Sequence, residues 1–250
     1  MVFNGDIFTD LDIDQMYKYH KSNKSKLTIA LVKVKDPTAF GLVETDKKGR
    51  IEKFLEKPSW EEVTCNTVNA GTYVVEPEML DLIPEGHNYS LERGLFPKSL
   101  ECGLPMYGFS YSGYWLDIGG VEKYLQANFD ILSGNTRFKI DAKKQGGFFV
   151  QGDVRVGKNV SVEGRILLGR GCKVADWARF NGTVSLGRNC TVKKGAVLED
   201  CVVLDNTVIG EGAKLCGCII GSRCTVESNV CISKGSVLGD GTIASKFSRI

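Results

Sequence analysis

The chain has 250 residues, and its 32 Lys and Arg against 30 Asp and Glu leave a formal charge of only +2. This balance argues against a protein that coats nucleic acid or a membrane surface, because both functions need a basic excess. Apolar residues make up 42% and charged residues 25%, which are ordinary globular values and exclude a disordered chain.

The sequence contains no run of about 18 apolar residues, the length that spans a bilayer. Its first residues lack the basic and apolar regions of a secretory signal. We therefore interpret the nine cysteines as reduced thiols rather than as a disulfide framework. These features predict a cytoplasmic protein with no membrane or nucleic-acid partner.

The first half of the chain alternates helical and extended patterns. In chain order, the predicted elements are a helix over 12–22, a buried strand over 27–34, hairpin strands over 40–45 and 51–55, a strand over 72–75, a helix from Pro77 and a helix over 121–132. Asp10 or Asp12 is expected to cap the first helix, and Lys48-Gly49 is a hairpin-turn signal. Alternation of this kind indicates an α/β layer structure.

The composition changes between the two halves. All six prolines lie at or before Pro105, whereas 16 of the 29 glycines fall between Gly147 and Gly241. Turn-forming residues are concentrated over 133–147. This pattern predicts a first domain at residues 1–135 and a second at 148–245.

The second half carries a repeat of six residues. The large apolar positions are Val156, Val162, Leu168, Val174, Phe180, Leu186, Val192, Leu198 and Leu204, followed after two shortened steps by Ile209, Leu215, Ile220, Val226, Ile232 and Leu238. A small or aliphatic residue stands four positions after each of the first nine. A period of six fits a triangular coil in which three hexads close a turn, and it resembles the left-handed parallel β-helix of hexapeptide-repeat proteins over Gly152–Thr242.

The cysteines of this half have a structural interpretation. Cys172, Cys190 and Cys224 are expected at small inward positions, where a thiol behaves as a compact hydrophobe. Cys216-Gly217-Cys218 is a weak metal signal without a second pair, and alternation along a coil explains it better.

Two carboxylates in the first half lie close to glycine in the sequence. Asn4-Gly5-Asp6 follows an apolar pair, which places Asp6 at the carboxyl end of a strand. Asp117 is followed closely by two glycines and a predicted helix. Each could be a simple turn or cap residue, but two hard oxygen donors are what Mg²⁺ takes from a protein.

Glu56-Lys57-Pro58 ends a predicted strand. Proline disfavours the α conformation in the residue before it, so Lys57 is expected to be extended. An ammonium group fixed in this way suits a phosphate as a point charge.

Together these motifs resemble the sugar-phosphate nucleotidyltransferases, most closely the mannose-1-phosphate guanylyltransferase type, over Phe3–Phe129. The residues that carry the resemblance are Asn4-Gly5-Asp6, Phe40-Gly41-Leu42-Val43-Glu44, Glu56-Lys57-Pro58, Asn69-Ala70-Gly71-Thr72-Tyr73, Leu91-Glu92-Arg93 with Phe96-Pro97, and Gly113-Tyr114-Trp115-Leu116-Asp117-Ile118-Gly119. The resemblance implies an α/β fold, namely an incomplete Rossmann-like nucleotidyltransferase domain followed by a left-handed parallel β-helix.

The resemblance also implies roles for individual residues. The metal-holding and catalytic aspartates would be Asp6 and Asp117, with Mg²⁺ as cofactor. Glu56 would hydrogen-bond sugar hydroxyls, and Lys57 would meet the sugar phosphate as a catalytic residue. The residues expected to line the sugar pocket are Gly41, Asn69, Gly71, Thr72 and Trp115.

The implied reaction joins a nucleoside triphosphate and a sugar-1-phosphate. An oxygen of the sugar phosphate attacks the α-phosphorus and pyrophosphate leaves. GDP-mannose is the favoured product, with UDP-glucose and dTDP-glucose as alternatives. Because the nucleophile is already an anion, positioning and charge neutralisation supply the catalysis.

One family feature is missing from this sequence: the strand and glycine-rich loop that hold the triphosphate have no counterpart before Asn4. We therefore expect a truncated chain that keeps the sugar and metal side and turns over poorly. Two alternatives stay open. One is a non-catalytic regulatory or assembly subunit, since the β-helix is expected to form homo-oligomers. The other is a hexapeptide acyltransferase, which is disfavoured because His20 and His87 both lie outside the repeat.

Overall fold

The computed structural model describes residues 1–250, and their contacts divide the chain into two compact units, Met1–Trp115 and Leu116–Ile250. This division lies earlier in the chain than the composition break. The expected domain limits of 1–135 and 148–245 stay a prediction. None of the helices combines the length and the apolar composition that crossing a membrane requires.

The first unit is built on one mixed sheet. Its strands are β1 (Val2–Phe3), β2 (Ile7–Thr9), β3 (Leu27–Lys33), β4 (Gly41–Thr45), β5 (Ile51–Glu56), β6 (Thr67–Val75) and β7 (Met106–Ser110), its helices are α1 (Ile13–Ser22) and α2 (Phe96–Glu101), and single helical turns lie at Trp60–Glu62, Pro77–Leu82 and Leu91–Leu95. The sheet order is β5-β4-β6-β3-β7, with β1 also paired to β6, and β2 is not part of this sheet. β3 and β7 run parallel, and the other pairs are antiparallel. The strand β8 (Trp115–Asp117) spans the division.

Most predicted elements of this unit are present. The helix over 12–22 is α1, and Asp12 is its cap because its carboxylate accepts the Gln15 N–H at 2.9 Å. Asp10 instead accepts the N–H of Tyr114 at 2.8 Å. Lys48-Gly49 lies between β4 and β5, with Gly49 at φ +84°, as a hairpin of this kind needs.

The helix expected from Pro77 is only a short 3₁₀ segment, Pro77–Leu82. Ile83 ends it in an extended conformation with ψ 121°. Pro84 follows directly, and proline disfavours the α conformation in the residue before it. The prediction of a longer helix was therefore wrong for a local reason.

The second unit contains the parallel β-helix that the repeat predicts. Its elements are α3 (Val121–Ser133), β9 (Lys143–Gln145), β10 (Phe148–Val150), β11 (Arg155–Val156), β12 (Ser161–Leu168), β13 (Lys173–Val174), β14 (Arg179–Leu186), β15 (Thr191–Val192), β16 (Val197–Glu199), β17 (Val202–Val203), β18 (Val208–Ile209), β19 (Lys214–Cys216), β20 (Ile219–Ile220), β21 (Thr225–Val226), β22 (Cys231–Ile232), β23 (Val237–Leu238) and β24 (Ile243–Ala244). Apart from β9, the strands of the coil pair in parallel with the corresponding strand of the next coil. Gly134 ends α3 in the left-handed conformation.

The large positions of the repeat point inward and stack between coils. Phe180 is fully buried and meets Phe148 edge to face, with ring centroids 5.6 Å apart. Val156 is an exception, with 42% of its surface exposed, because the first coil has a neighbour on one side only.

The first shortening of the repeat lies one hexad earlier than the sequence pattern predicts. Val203, not Leu204, pairs with Leu186 and enters the core. Asp200 explains the shift, because it takes a left-handed φ of +45° and its carboxylate accepts the Thr183 N–H from the preceding coil at 2.8 Å. This contact closes the corner with one residue fewer.

The cysteines follow the predicted pattern. Cys172, Cys190 and Cys224 are buried, and all nine cysteines are free thiols. Cys216 is exposed whereas Cys218 is fully buried. Residues two apart in a strand share a face, so the corner at Gly217, with φ +53°, and not strand alternation, separates them. No group of three or more His, Cys, Asp or Glu side chains has a metal-binding arrangement.

Phe180→Ala is expected to destabilise the β-helix by about 3–5 kcal/mol, because it opens a cavity between stacked coils. The measurement is urea unfolding followed by circular dichroism. The neighbouring Arg179→Ala is the control, since Arg179 is exposed and should change the stability by less than about 0.5 kcal/mol. Equal effects of the two substitutions would contradict the inward assignment.

His20 makes the first unit sensitive to acid. It is 1% exposed, and its ring nitrogens lie 2.8 Å from Thr28 Oγ1 and 3.1 Å from Glu76 Oε1. Burial lowers the pKa of His20, although Glu76, which also pairs with Lys21, opposes this effect. The folded state therefore binds fewer protons than the unfolded state, whose histidine pKa is about 6.5.

We expect the free energy of unfolding of the first unit to be largest above pH ~6.5 and to fall as the pH decreases below that value. His20→Gln should flatten this dependence between neutral pH and pH ~5.5, whereas His87→Gln, at an exposed position, should leave it unchanged. The dependence would be measured by urea unfolding at a series of pH values. A dependence that survives His20→Gln would assign it to another group.

Candidate functional site

Glu56 and Gly41 face each other at the end of the β4–β5 hairpin. They are direct partners in the antiparallel register. A Cβ atom on Gly41 would lie 2.6 Å from Phe54 Cζ and 2.9 Å from Glu56 Oε2. Only glycine therefore lets the half-buried Glu56 carboxylate lie against the backbone of β4.

Lys57 follows directly, but its backbone is not extended as the sequence predicts. Its φ is +50°, in the left-handed region. Its N–H donates to the carbonyl of Phe40 at 3.0 Å, which continues the hairpin pairing by one bond. Proline disfavours the right-handed α conformation in the preceding residue, and this bond selects the left-handed alternative to an extended chain. Lys57 is nevertheless exposed, as a residue that binds a ligand with its ammonium group needs to be.

The turn at Leu91–Leu95 brings two further charges to Glu56. Burial raises the pKa of Glu56, and the nearby Glu92 carboxylate raises it further. Lys57 and Arg93 act in the opposite direction. The site therefore contains two carboxylates and two cations, and the sequence motifs predicted roles only for Glu56 and Lys57. The Leu91-Glu92-Arg93 motif was the available signal for the other two.

Asn69 and Gly71 form a bulge in β6. Ile29 of β3 pairs with Tyr73 of β6, and Leu31 pairs with Asn69. The pairing thus advances two residues along β3 but four along β6, so β6 contains extra residues there. Gly71 has φ +70°, and its N–H donates to Asn69 Oδ1 at 2.9 Å. Such bulges redirect side chains and are frequent beside active sites.

The bulge is tied to the Asn4-Gly5-Asp6 segment. The N–H of Asn4 donates to the carbonyl of Gly71 at 2.8 Å. Thr72 pairs with Phe3 in the β1–β6 register and is only 2% exposed. The structure thus brings Asn4, Asn69 and Gly71 together, whereas the Thr72 side chain is buried in the sheet.

Trp115 is held beside the same bulge. Its indole N–H donates to the carbonyl of Ala70 at 3.0 Å, and its ring meets Phe40 edge to face at 5.3 Å. It lines a cavity of about 570 Å³ that also contains Lys33 and Tyr111. None of Glu56, Lys57, Asn69, Gly71 or Thr72 lines this cavity.

The two predicted metal ligands have different surroundings. Asp6 is exposed in the turn after β1 and belongs to the first unit. Asp117 is partly buried in the second unit, where one carboxylate oxygen accepts the Gly119 N–H at 2.9 Å and the other remains available. Both supply the hard oxygen donors that Mg²⁺ prefers. Their shared site stays a prediction.

Comparison with known proteins assigns both halves of the chain. The nucleotidyl transferase family matches residues 1–134, more than half of the chain, and a family described as the EIF2B subunit epsilon LbH domain matches residues 145–249. The chain therefore belongs to the nucleotidyl transferase family. The sequence resemblance to this family and the mixed α/β sheet followed by a β-helix are confirmed.

Curated relatives cover most of this chain. A mannose-1-phosphate guanylyltransferase of Mycobacterium tuberculosis is 34% identical over 80% of the chain and 55% of its own length. A UTP–glucose-1-phosphate uridylyltransferase of Synechocystis is 33% identical over 91% of the chain and 60% of its own length. A mannose-1-phosphate guanylyltransferase catalytic subunit beta of Drosophila melanogaster is 32% identical over 97% and 61%. The chain thus spans a little over half the length of these relatives.

Gly71→Ala is expected to destabilise the first unit more than Gly103→Ala does. Both glycines have left-handed φ values, +70° and +67°, so both substitutions cost about 1–2 kcal/mol of backbone strain. Only at Gly71 would the new Cβ meet neighbours, Ile7 Cγ1 at 2.9 Å and Asn4 Nδ2 at 3.0 Å. This crowding should add about 1–3 kcal/mol. Urea unfolding measures both, and equal losses would contradict the tight packing of the bulge.

Proposed function

We propose that the protein takes part in nucleotidyl transfer from a nucleoside triphosphate to a sugar-1-phosphate, with GDP-mannose as the favoured product. The observation that carries the proposal is the cluster of Glu56, Lys57 and Arg93 beside the Asn69–Gly71 bulge. It combines hydrogen-bonding groups for a sugar with cations for a phosphate. Family membership and the names of the relatives support the same reaction class.

Glu56 and Asn69 are the sugar-binding groups. An ionised carboxylate accepts hydrogen bonds from hydroxyl groups, and Glu56 is half-buried where such bonds are strong. Within the protein, the side-chain oxygen Oδ1 of Asn69 accepts the Gly71 N–H, and one hydrogen of its Nδ2 goes to Tyr73 Oη. The second Nδ2 hydrogen remains for the ligand. Gly41 leaves space for the sugar against the backbone.

Lys57 binds the phosphate of the sugar-1-phosphate. An oxygen of this phosphate attacks the α-phosphorus of the nucleoside triphosphate, and pyrophosphate leaves. The attacking oxygen is already anionic, so the residues need to position it and offset its charge rather than remove a proton. Asp6 and Asp117 would hold Mg²⁺, which supplies further neutralisation of phosphate charge.

Guanine and mannose are favoured because relatives from Mycobacterium tuberculosis and Drosophila melanogaster both carry the mannose-1-phosphate guanylyltransferase name. Uridylyl transfer to glucose-1-phosphate is the first alternative. Acyl transfer has less support, since neither histidine lies in the β-helix and His20 is held by Thr28 and Glu76. We further propose that the β-helix mediates homo-oligomer contacts and that the protein works in the cytoplasm.

Lys57→Met is expected to weaken binding of mannose-1-phosphate about 10–100-fold, because one charge-assisted contact to the phosphate is lost. Isothermal titration calorimetry measures the affinity, with glucose-1-phosphate as the comparison ligand. Lys53→Met is the matched control, since Lys53 lies on β5, which ends directly before Lys57, and pairs with Glu44. Equal affinities of the two variants would contradict the phosphate-binding role.

Pyrophosphate release from GTP and mannose-1-phosphate with Mg²⁺ tests the reaction itself. We expect release that depends on both substrates and falls with Lys57→Met. Sugar-phosphate binding without turnover would favour the regulatory or assembly subunit, and consumption of acetyl-CoA would favour the acyltransferase. Parallel assays with UTP and dTTP identify the nucleotide.

A further inference from the structure

The buried hydroxyl group of Tyr73 connects three elements of the first unit. Tyr73 lies on β6 with none of its surface exposed. Asn69 Nδ2 donates to Tyr73 Oη at 2.9 Å, and the Asn4 side chain bonds to the same oxygen. The Tyr73 hydroxyl lies 3.2 Å from Glu92 Oε1 in the Leu91–Leu95 turn.

The direction of each bond in this chain is determined. The Gly71 N–H needs an acceptor, which fixes the oxygen of the Asn69 amide and directs its nitrogen toward Tyr73. Because Tyr73 Oη receives an amide N–H, its single hydrogen goes to the Glu92 carboxylate, which only accepts. Burial raises the pKa of Tyr73, so the hydroxyl keeps this hydrogen at neutral pH.

Glu92 is itself held in place. Its second oxygen accepts the hydroxyl hydrogen of Ser90 at 3.0 Å, and Ser90 Oγ accepts the Arg93 N–H at 3.1 Å. Each carboxylate oxygen of Glu92 therefore accepts one hydrogen bond within the protein. Glu92 terminates the chain of hydrogen bonds.

We propose that Glu92 is a positioning residue for sugar binding: acting through Tyr73, it fixes the Asn69 amide so that its remaining N–H faces the ligand. The effect on sugar binding rests on the proposed function, but the positioning of the Asn69 amide can be observed without any ligand. Tyr73 is the connecting residue, and neither Tyr73 nor Glu92 is assigned contact with the reacting atoms.

The charge of Glu92 has a second, separable effect. The groups that face Glu56 are Glu92, Lys57 and Arg93. Glu92 raises the pKa of Glu56, so removing the Glu92 charge should lower that pKa. Glu56 accepts sugar hydroxyls in its ionised form, and binding should therefore persist to lower pH in Glu92→Gln than in the unsubstituted protein.

Nuclear magnetic resonance of the full chain tests the positioning directly. We expect slow exchange of the Asn69 side-chain amide hydrogens in the unsubstituted protein and in Glu92→Gln, whose amide oxygen still accepts from Tyr73. Exchange should accelerate about 10-fold or more in Tyr73→Phe and Glu92→Leu, as expected for loss of a buried bond. Tyr111→Phe is the matched control, because the buried hydroxyl of Tyr111 has no hydrogen-bond partner. Equal exchange in all five proteins would overturn the proposal.

Calorimetry with mannose-1-phosphate and glucose-1-phosphate distinguishes a failure of the positioning role from a failure of the proposed function. Tyr73→Phe should weaken binding about 5–30-fold at neutral pH, and Glu92→Gln by less than about 3-fold, with its acid limit shifted to lower pH. If Tyr73 and Glu92 had only a structural role, the substitutions would lower the stability but leave the affinity and the pH limit of the folded fraction unchanged. That result would overturn the positioning role. Retained amide protection together with no binding of either ligand by the unsubstituted protein would instead contradict the proposed function and leave the positioning confirmed by exchange.

Discussion

The candidate site depends on one irregularity, the bulge of β6 at Gly71. A regular strand there would send successive side chains to opposite faces of the sheet. Because Gly71 is left-handed, its N–H donates to the side-chain oxygen Oδ1 of Asn69. Its carbonyl oxygen accepts the N–H of Asn4. The Ala70 carbonyl is left free for the indole of Trp115. Segments far apart in the chain therefore meet at the backbone of three consecutive residues.

The β-helix of the second unit follows the opposite logic. Its geometry comes from a repeated local pattern, and each coil is stabilised by its neighbours rather than by one unusual residue. Sequence periodicity therefore predicts its core almost completely. The exception at Val203 arises where Asp200 hydrogen-bonds to the preceding coil, and a contact between coils is not visible in a single hexad. The outward thiol at Cys216 and the inward thiol at Cys218 do not follow from alternation, because the corner at Gly217 lies between them.

Sequence reasoning succeeded where local chemistry decides and failed where a distant contact decides. The cap at Asp12 and the hairpin at Gly49 depend on neighbours within a few residues, and both were predictable. The left-handed Lys57 depends on the Phe40 carbonyl, which lies across the hairpin. Glu92 is 19 residues from Tyr73, so its place beside Glu56 follows only from the packing of the Leu91–Leu95 turn. Motif matching identified Glu56, Asn69 and Gly71 as candidates but could not show what holds them.

The balance of charge at the site explains why these distant residues belong together. Two carboxylates in a partly buried space repel each other, and Lys57 and Arg93 offset this repulsion. Glu92 is also neutralised in part by the hydroxyl hydrogens of Tyr73 and Ser90, which lets Glu56 remain available to a sugar. In the proposed reaction, a phosphate group bound at Lys57 would add negative charge beside Glu56. The sugar contact and the phosphate contact that we propose are therefore subject to the same electrostatic constraint.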